Sequence, residues 1–120
     1  MVLNLYATLA HSEHALDNYL PLQNGKSSLN PKEREVINLV VSQVNECAYC
    51  LAAHTALGGM VGFTPGQIIA IRKGSAPFDA KLDALAHRSR ALLNAVATPS
   101  RRSSMRFSLR ATRKASWSTP

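Results

Sequence analysis

Cysteine is confined to positions 47 and 50 of a 120-residue chain, so whatever chemistry cysteine performs here is done in one place. Aromatic residues are few, with three Phe, three Tyr and a single Trp, and the β-branched residues gather near the middle. That composition suits a globular, helical chain. Long apolar runs are missing too: no stretch approaches the roughly 20 uninterrupted apolar residues of a membrane span, and the N-terminus lacks the basic-then-apolar layout of a signal peptide. The expectation is a soluble, cytoplasmic protein with no membrane segment.

Acidic residues are absent from the last part of the chain. Residues 1–97 carry eight basic and seven acidic side chains, whereas residues 98–120 carry Arg101, Arg102, Arg106, Arg110, Arg113 and Lys114 and no acid. The formal charge of +7 therefore belongs almost wholly to the tail. The body offers no electrostatic case for binding nucleic acid. A chain of this length is one domain's worth and buries roughly two-thirds of its unfolded surface, so subunit association would add usefully to its core.

Within the body, helical signals dominate. Val2, Leu5, Tyr6 and Leu9 recur at helical spacing, and Ser12 is placed to cap a second helix running to about Gln23, with Pro21 as a point of bending or early termination. Asn24 to Ser28 read as a loop. Asn30, Pro31 and Glu33 supply a cap, a first-turn proline and an acid three residues after the cap. This start makes the following V-I-N-L-V-V-S-Q-V a helix rather than a strand, ending near Val44 or Asn45, with Val36, Ile37, Val40, Val41 and Val44 as its apolar stripe. A further helix spans about Cys47 to Met60, stopped by Gly58, Gly59 and Gly62. Thr64 to Gln67 repeat the cap pattern for a short helix ending at Gly74. Asp79 caps the last, with Leu82, Leu85, Ala86, Leu92, Leu93 and Val96 as core candidates. The fold class expected is all-α, a compact domain of about five to six helices over residues 1–97. Residues 98–120 follow as a basic Ser/Arg-rich tail without a sustained apolar period.

The stretch E-C-A-Y-C-L-A-A-H, residues 46–54, concentrates the chemistry. An α-helix turns 100° per residue, so Cys47, Cys50 and His54, spaced by three and four, share one face. The sulfurs lie within reach of a disulfide, and the imidazole lies one turn beyond. Cys47 falls in the first turn, where unpaired N–H groups favour a thiolate, while Glu46 beside it opposes that effect. Three readings of these residues stand side by side. They are two small buried hydrophobes with a hydrogen-bonded histidine; a metal site needing a fourth ligand from His11, His14 or His87; or a dithiol redox centre with an adjacent proton carrier. A Cys-x-x-Cys in a reducing compartment is more often catalytic than a permanent bridge.

Counting back twelve residues adds Glu35. The pattern of a glutamate, eleven residues, then C-x-x-C-x-x-x-H resembles the alkylhydroperoxidase D-like branch of the carboxymuconolactone decarboxylase family. It runs through L-N-P-K-E-R-E-V-I-N-L-V-V-S-Q-V-N-E-C-A-Y-C-L-A-A-H-T and, more loosely, over residues 1–97. The resemblance implies an all-helical fold, assembly into trimers or hexamers, and a thiol peroxidase cycle with no bound cofactor. In that cycle Cys50 attacks the hydroperoxide, Cys47 closes the disulfide, and His54 and Glu35 handle protons. A lipoyl domain or thioredoxin-like protein then returns the dithiol. The family's lactone-decarboxylating branch does not use this cysteine pair, which argues against that activity here. The helical wheel by itself puts Glu35 off the centre of the apolar stripe, as an exposed first-turn glutamate.

Two features depart from the pattern. Tyr49 stands where the peroxidase proper tends to have histidine, and a phenol is a poor proton carrier near neutral pH. The tail replaces the apolar helices with which relatives usually continue. A shift of reading frame near residue 98 would produce such a tail, and resequencing the coding DNA tests it.

Overall fold

The structure, a computed structural model, describes residues 4–96. Six α-helices and no strand occur among the described residues, so the all-α expectation holds. The basic tail, residues 98–120, and Val2 lie outside the described residues. No helix among those described is long and apolar enough to cross a membrane. The chain divides into two units, Met1–Asn30 and Pro31–Pro120.

The first unit is a pair of short helices, α1 (Asn4–Leu9) and α2 (Ala15–Asn24), in which the Tyr6 and Tyr19 rings sit 6.3 Å apart. Ser12 does not cap α2. Its N–H donates back to the Leu9 carbonyl at 3.1 Å, which keeps residues after α1 in a turn, and the helix begins after His14 with no side-chain cap. Pro21 does not end α2, which continues to Asn24. Neither helix has a buried residue.

The second unit is built around α3 (Pro31–Val44), which packs against α4 (Ala48–Met60), α5 (Pro65–Arg72) and α6 (Ala80–Val96). Its start and two others follow the local signals. Pro31 opens α3. At α5, the Thr64 hydroxyl accepts the Gln67 N–H at 3.2 Å while the Gln67 side chain accepts the Thr64 N–H at 3.0 Å, a complete capping box. At α6, Asp79 Oδ1 accepts the Lys81 and Leu82 N–H groups at 2.9 and 3.0 Å.

The core joins Val36, Leu39 and Val40 of α3 to Phe63, Ile68, Ile71, Ala76, Leu82 and Ala86. Val36 and Val40 are buried as expected, but the arc that α3 buries is turned toward Glu35, Leu39 and Ser42, while Ile37 and Val41 are only half-buried. The cause is α4. Helix α4 covers that flank of α3, with Gly58 packed beside Leu39 and Ile68, where a Cβ would make ordinary contacts at 3.6 and 3.4 Å. On α6, Leu82 and Ala86 enter the core and Leu85 and Leu93 pack partly against it, but Leu92 is 61% and Val96 43% exposed. The neighbours that bury the start of α6 cover only one side of its last two turns, where Leu93 still packs and Leu92 and Val96 do not.

Helices α3, α4 and α5 end in the same way. The N–H of Cys47, Phe63 and Ser75 donates five residues back to Ser42, Gly58 and Ala70, and the preceding N–H of Glu46, Gly62 and Gly74 donates three residues back to Gln43, Gly59 and Ile71. This paired pattern is the Schellman motif, whose penultimate residue must adopt positive φ. Gly62 and Gly74 do so at 102° and 89°, and Glu46 does so at 53°.

Candidate redox-active site

The turn closing α3 delivers the first cysteine. With Glu46 in the left-handed region, the chain reverses within two residues, and Cys47 becomes the N-cap of α4 with extended backbone (φ −87°, ψ 95°). It therefore precedes the helix rather than occupying its first turn. Cys47 Sγ accepts the Cys50 N–H at 3.2 Å, the role a capping oxygen plays elsewhere. Cys47 and Cys50 are joined as a disulfide with their Cα atoms 5.2 Å apart. Both are partly accessible, so they are not hydrophobes sealed in separate pockets.

One turn further along α4, His54 meets Glu35. The imidazole Nδ1 lies 2.8 Å from Glu35 Oε2, with the histidine side chain 22% and the glutamate side chain 11% exposed. An ionised carboxylate only accepts, so Nδ1–H donates and Nε2 is the nitrogen left to take or give a proton on the other side of the ring. Glu35 is thus buried at 9% and paired, not the exposed glutamate of the helical wheel. Its position follows from the rotation of the buried arc toward α4.

The spacing argument did not include Asn38. Its side-chain amide donates to Glu35 Oε1 at 3.2 Å, so both carboxylate oxygens are held. Asn38 also links Glu35 to the cysteine turn: its carbonyl accepts the Ser42 hydroxyl at 2.6 Å, and the Ser42 carbonyl accepts the Cys47 N–H. The i+3 relation to Glu35 was the sequence signal available for it. Tyr49, between the cysteines, is 43% exposed. Of the histidines weighed as metal ligands, His14 lies 3.9 Å from Glu13, and His87 lies 3.6 Å from Asp83. Among the described residues no group of three or more His, Cys, Asp or Glu side chains is arranged to hold a metal ion.

The described helices thus present a Cys-x-x-Cys disulfide at a helix start, one turn from a carboxylate-held imidazole. The model of the carboxymuconolactone decarboxylase family matches residues 10–92, and the chain belongs to that family, which includes peroxidase-like members. No curated protein and no solved structure matches the chain.

Proposed function

We propose that the protein is a thiol-dependent peroxidase, a dithiol–disulfide oxidoreductase that reduces hydroperoxides through Cys50 and Cys47. The observation that carries this reading is the placement of the Cys47–Cys50 disulfide one helical turn before His54, whose ring is oriented by buried Glu35. In the reduced protein the Cys50 thiolate attacks the terminal peroxide oxygen. The O–O bond breaks, the alkoxide leaves as alcohol with a proton relayed by His54, and Cys50 becomes a sulfenic acid. The Cys47 thiol then displaces water from that sulfur, closing the disulfide. A donor dithiol, of the lipoyl or thioredoxin-like class, reopens it by exchange and is itself oxidised. Each cycle converts one hydroperoxide and one dithiol into alcohol, water and donor disulfide. Glu35 fixes the ring that moves the proton, and assembly into a trimer or hexamer belongs to the same proposal.

Peroxide consumption in the presence of a dithiol reductant tests it. Cys50→Ser is expected to abolish turnover, and wild-type-like turnover in that variant overturns the proposal. Cys47→Ser is expected to consume a single equivalent of peroxide and stop with a sulfenic acid at Cys50 that a dimedone reagent traps. Absence of label at Cys50 in that variant would remove the assignment of roles.

A further inference from the structure

We infer that a second site, a cleft of about 680 Å³ between the ends of α3 and α5 and the side of α6, binds a small multivalent anion bearing phosphate or carboxylate groups. Its polar lining is Gln43, Arg72, Lys73, Arg90 and Asn94: three cations, two amides and no acid. No carboxylate is ion-paired with any of the three cations among the described residues. The volume lies in the range of small-molecule sites.

Two of the cations are held in place. Arg72 Nε donates to Gln43 Oε1 at 2.9 Å, which fixes the guanidinium, leaves its two terminal nitrogens unengaged by that bond, and makes the remaining Gln43 amide atom a donor. Arg90 donates through Nη1 to the Lys73 carbonyl. Room for it is made by Gly74, where a Cβ would lie 2.6 Å from Arg90 Cδ. The lining side chains therefore present chiefly guanidinium, ammonium and amide N–H groups, with the Asn94 amide also offering its oxygen, so a ligand that satisfies them is predominantly an acceptor. Paired guanidinium N–H groups match the geometry of phosphate and carboxylate oxygens. Three like charges around one cleft also repel one another, and a multivalent anion relieves that repulsion. Neutralising the carbonyl ends of α3 and α5 explains the cations only in part, since of the three only Arg90 is bonded to such a carbonyl. This inference does not rest on the thiol chemistry.

Isothermal titration of the full chain with pyrophosphate and with citrate, at matched ionic strength, tests it. One-to-one saturable binding is expected with at least one of them, the stronger of the two identifying phosphate or carboxylate as the preferred group. Affinity is expected to fall at least tenfold in Arg72→Gln and in Lys73→Gln. The second variant keeps the backbone carbonyl that Arg90 binds and alters an exposed side chain, so it retains the fold. Arg88→Gln, an exposed cation of α6 outside the cleft, is expected to bind as the wild type does. Absence of saturation with both anions overturns the proposal. So does a loss in Arg88→Gln equal to that in Lys73→Gln, which would mark general charge attraction, or binding of a long polyanion such as polyglutamate with neither small anion.

Discussion

Helix α3 buries two carboxylates only two residues apart and sends them to opposite partners. Glu33, 3% exposed, meets the Lys81 ammonium of α6 at 2.5 Å, whereas Glu35, 9% exposed, meets the His54 imidazole of α4 at 2.8 Å. Burial and pairing are alike, so neither marks function. The partner does. An ammonium keeps its proton throughout the neutral range, and the hydrogen bond and charge of Glu33 raise the Lys81 pKa further above its ordinary value, so that pair is a fixed tie between helices. An imidazole is the side chain that exchanges protons near neutral pH, and a carboxylate on one ring nitrogen orients the other toward its work.

Activity should separate the two carboxylates most strongly. Glu35→Gln is expected to lower kcat/KM for peroxide by about 100-fold, within the usual range for losing support of a general acid–base group. Glu33→Gln is expected to leave kcat/KM essentially unchanged. Equal losses in the two variants, measured by steady-state peroxide reduction, would erase the distinction between a structural and a chemical carboxylate.

Stability should rank them the other way. Glu33→Gln removes a charged hydrogen bond from a buried position, a loss of about 1–3 kcal/mol and hence of several degrees in melting temperature. Lys81→Met is expected to lower the melting temperature further, because it leaves the buried Glu33 charge without its cation. The sign with pH follows from the raised Lys81 pKa. Its stabilising contribution is complete below the ordinary lysine value of 10.5 and is lost as pH rises through the raised value. The difference in denaturant midpoint between wild type and Lys81→Met should therefore stay constant across the neutral range and shrink only in strong alkali. A difference that shrank near neutrality would assign the tie to another group. Because the Lys81 side chain is 79% exposed, high salt should reduce the difference as well.

What the sequence made legible about these two sites is divided along the same line. Local signals carried through: Pro31 opening α3, the Thr64–Gln67 box, Asp79 at α6, and Gly62 and Gly74 after α4 and α5 act within a few residues of themselves, whereas Gly58 and Gly59, expected to stop α4, lie inside it. Spacings of three and four matched the Cys47–Cys50 disulfide and a His54 one helical turn further on, although Cys47 proved to cap α4 rather than lie within it. The partner of His54 was not readable from one helix's wheel, because the flank that α3 buries is chosen by α4, whose Gly58 packs beside Leu39. Glu35 was singled out by resemblance alone, and Asn38, which holds it, not at all. Leu92 and Val96 failed for the converse reason, since an apolar period on α6 states what could be buried and not how far the neighbouring helices extend.

The smallest expected effect concerns the turn that carries Cys47, set against its two glycine counterparts. All three turns share one hydrogen-bond pattern, yet Glu46 holds φ +53° where Gly62 and Gly74 hold theirs without a Cβ. A non-glycine residue in that region costs about 1–2 kcal/mol, and glycine returns roughly 0.5–1 kcal/mol of this through the greater freedom of its unfolded chain. Glu46→Gly should therefore stabilise the protein by about 0.5–1 kcal/mol, read as a rise of a few degrees in melting temperature. The reverse exchange, Gly62→Ala, should cost a similar amount, because a Cβ there meets nothing closer than Lys32 Cε at 3.7 Å and the penalty is conformational alone. A Glu46→Gly protein no more stable than the wild type would mean that the Glu46 side chain offsets its backbone cost. The turn before Cys47 would then depend on that side chain, and not only on backbone hydrogen bonds, to seat the cysteine.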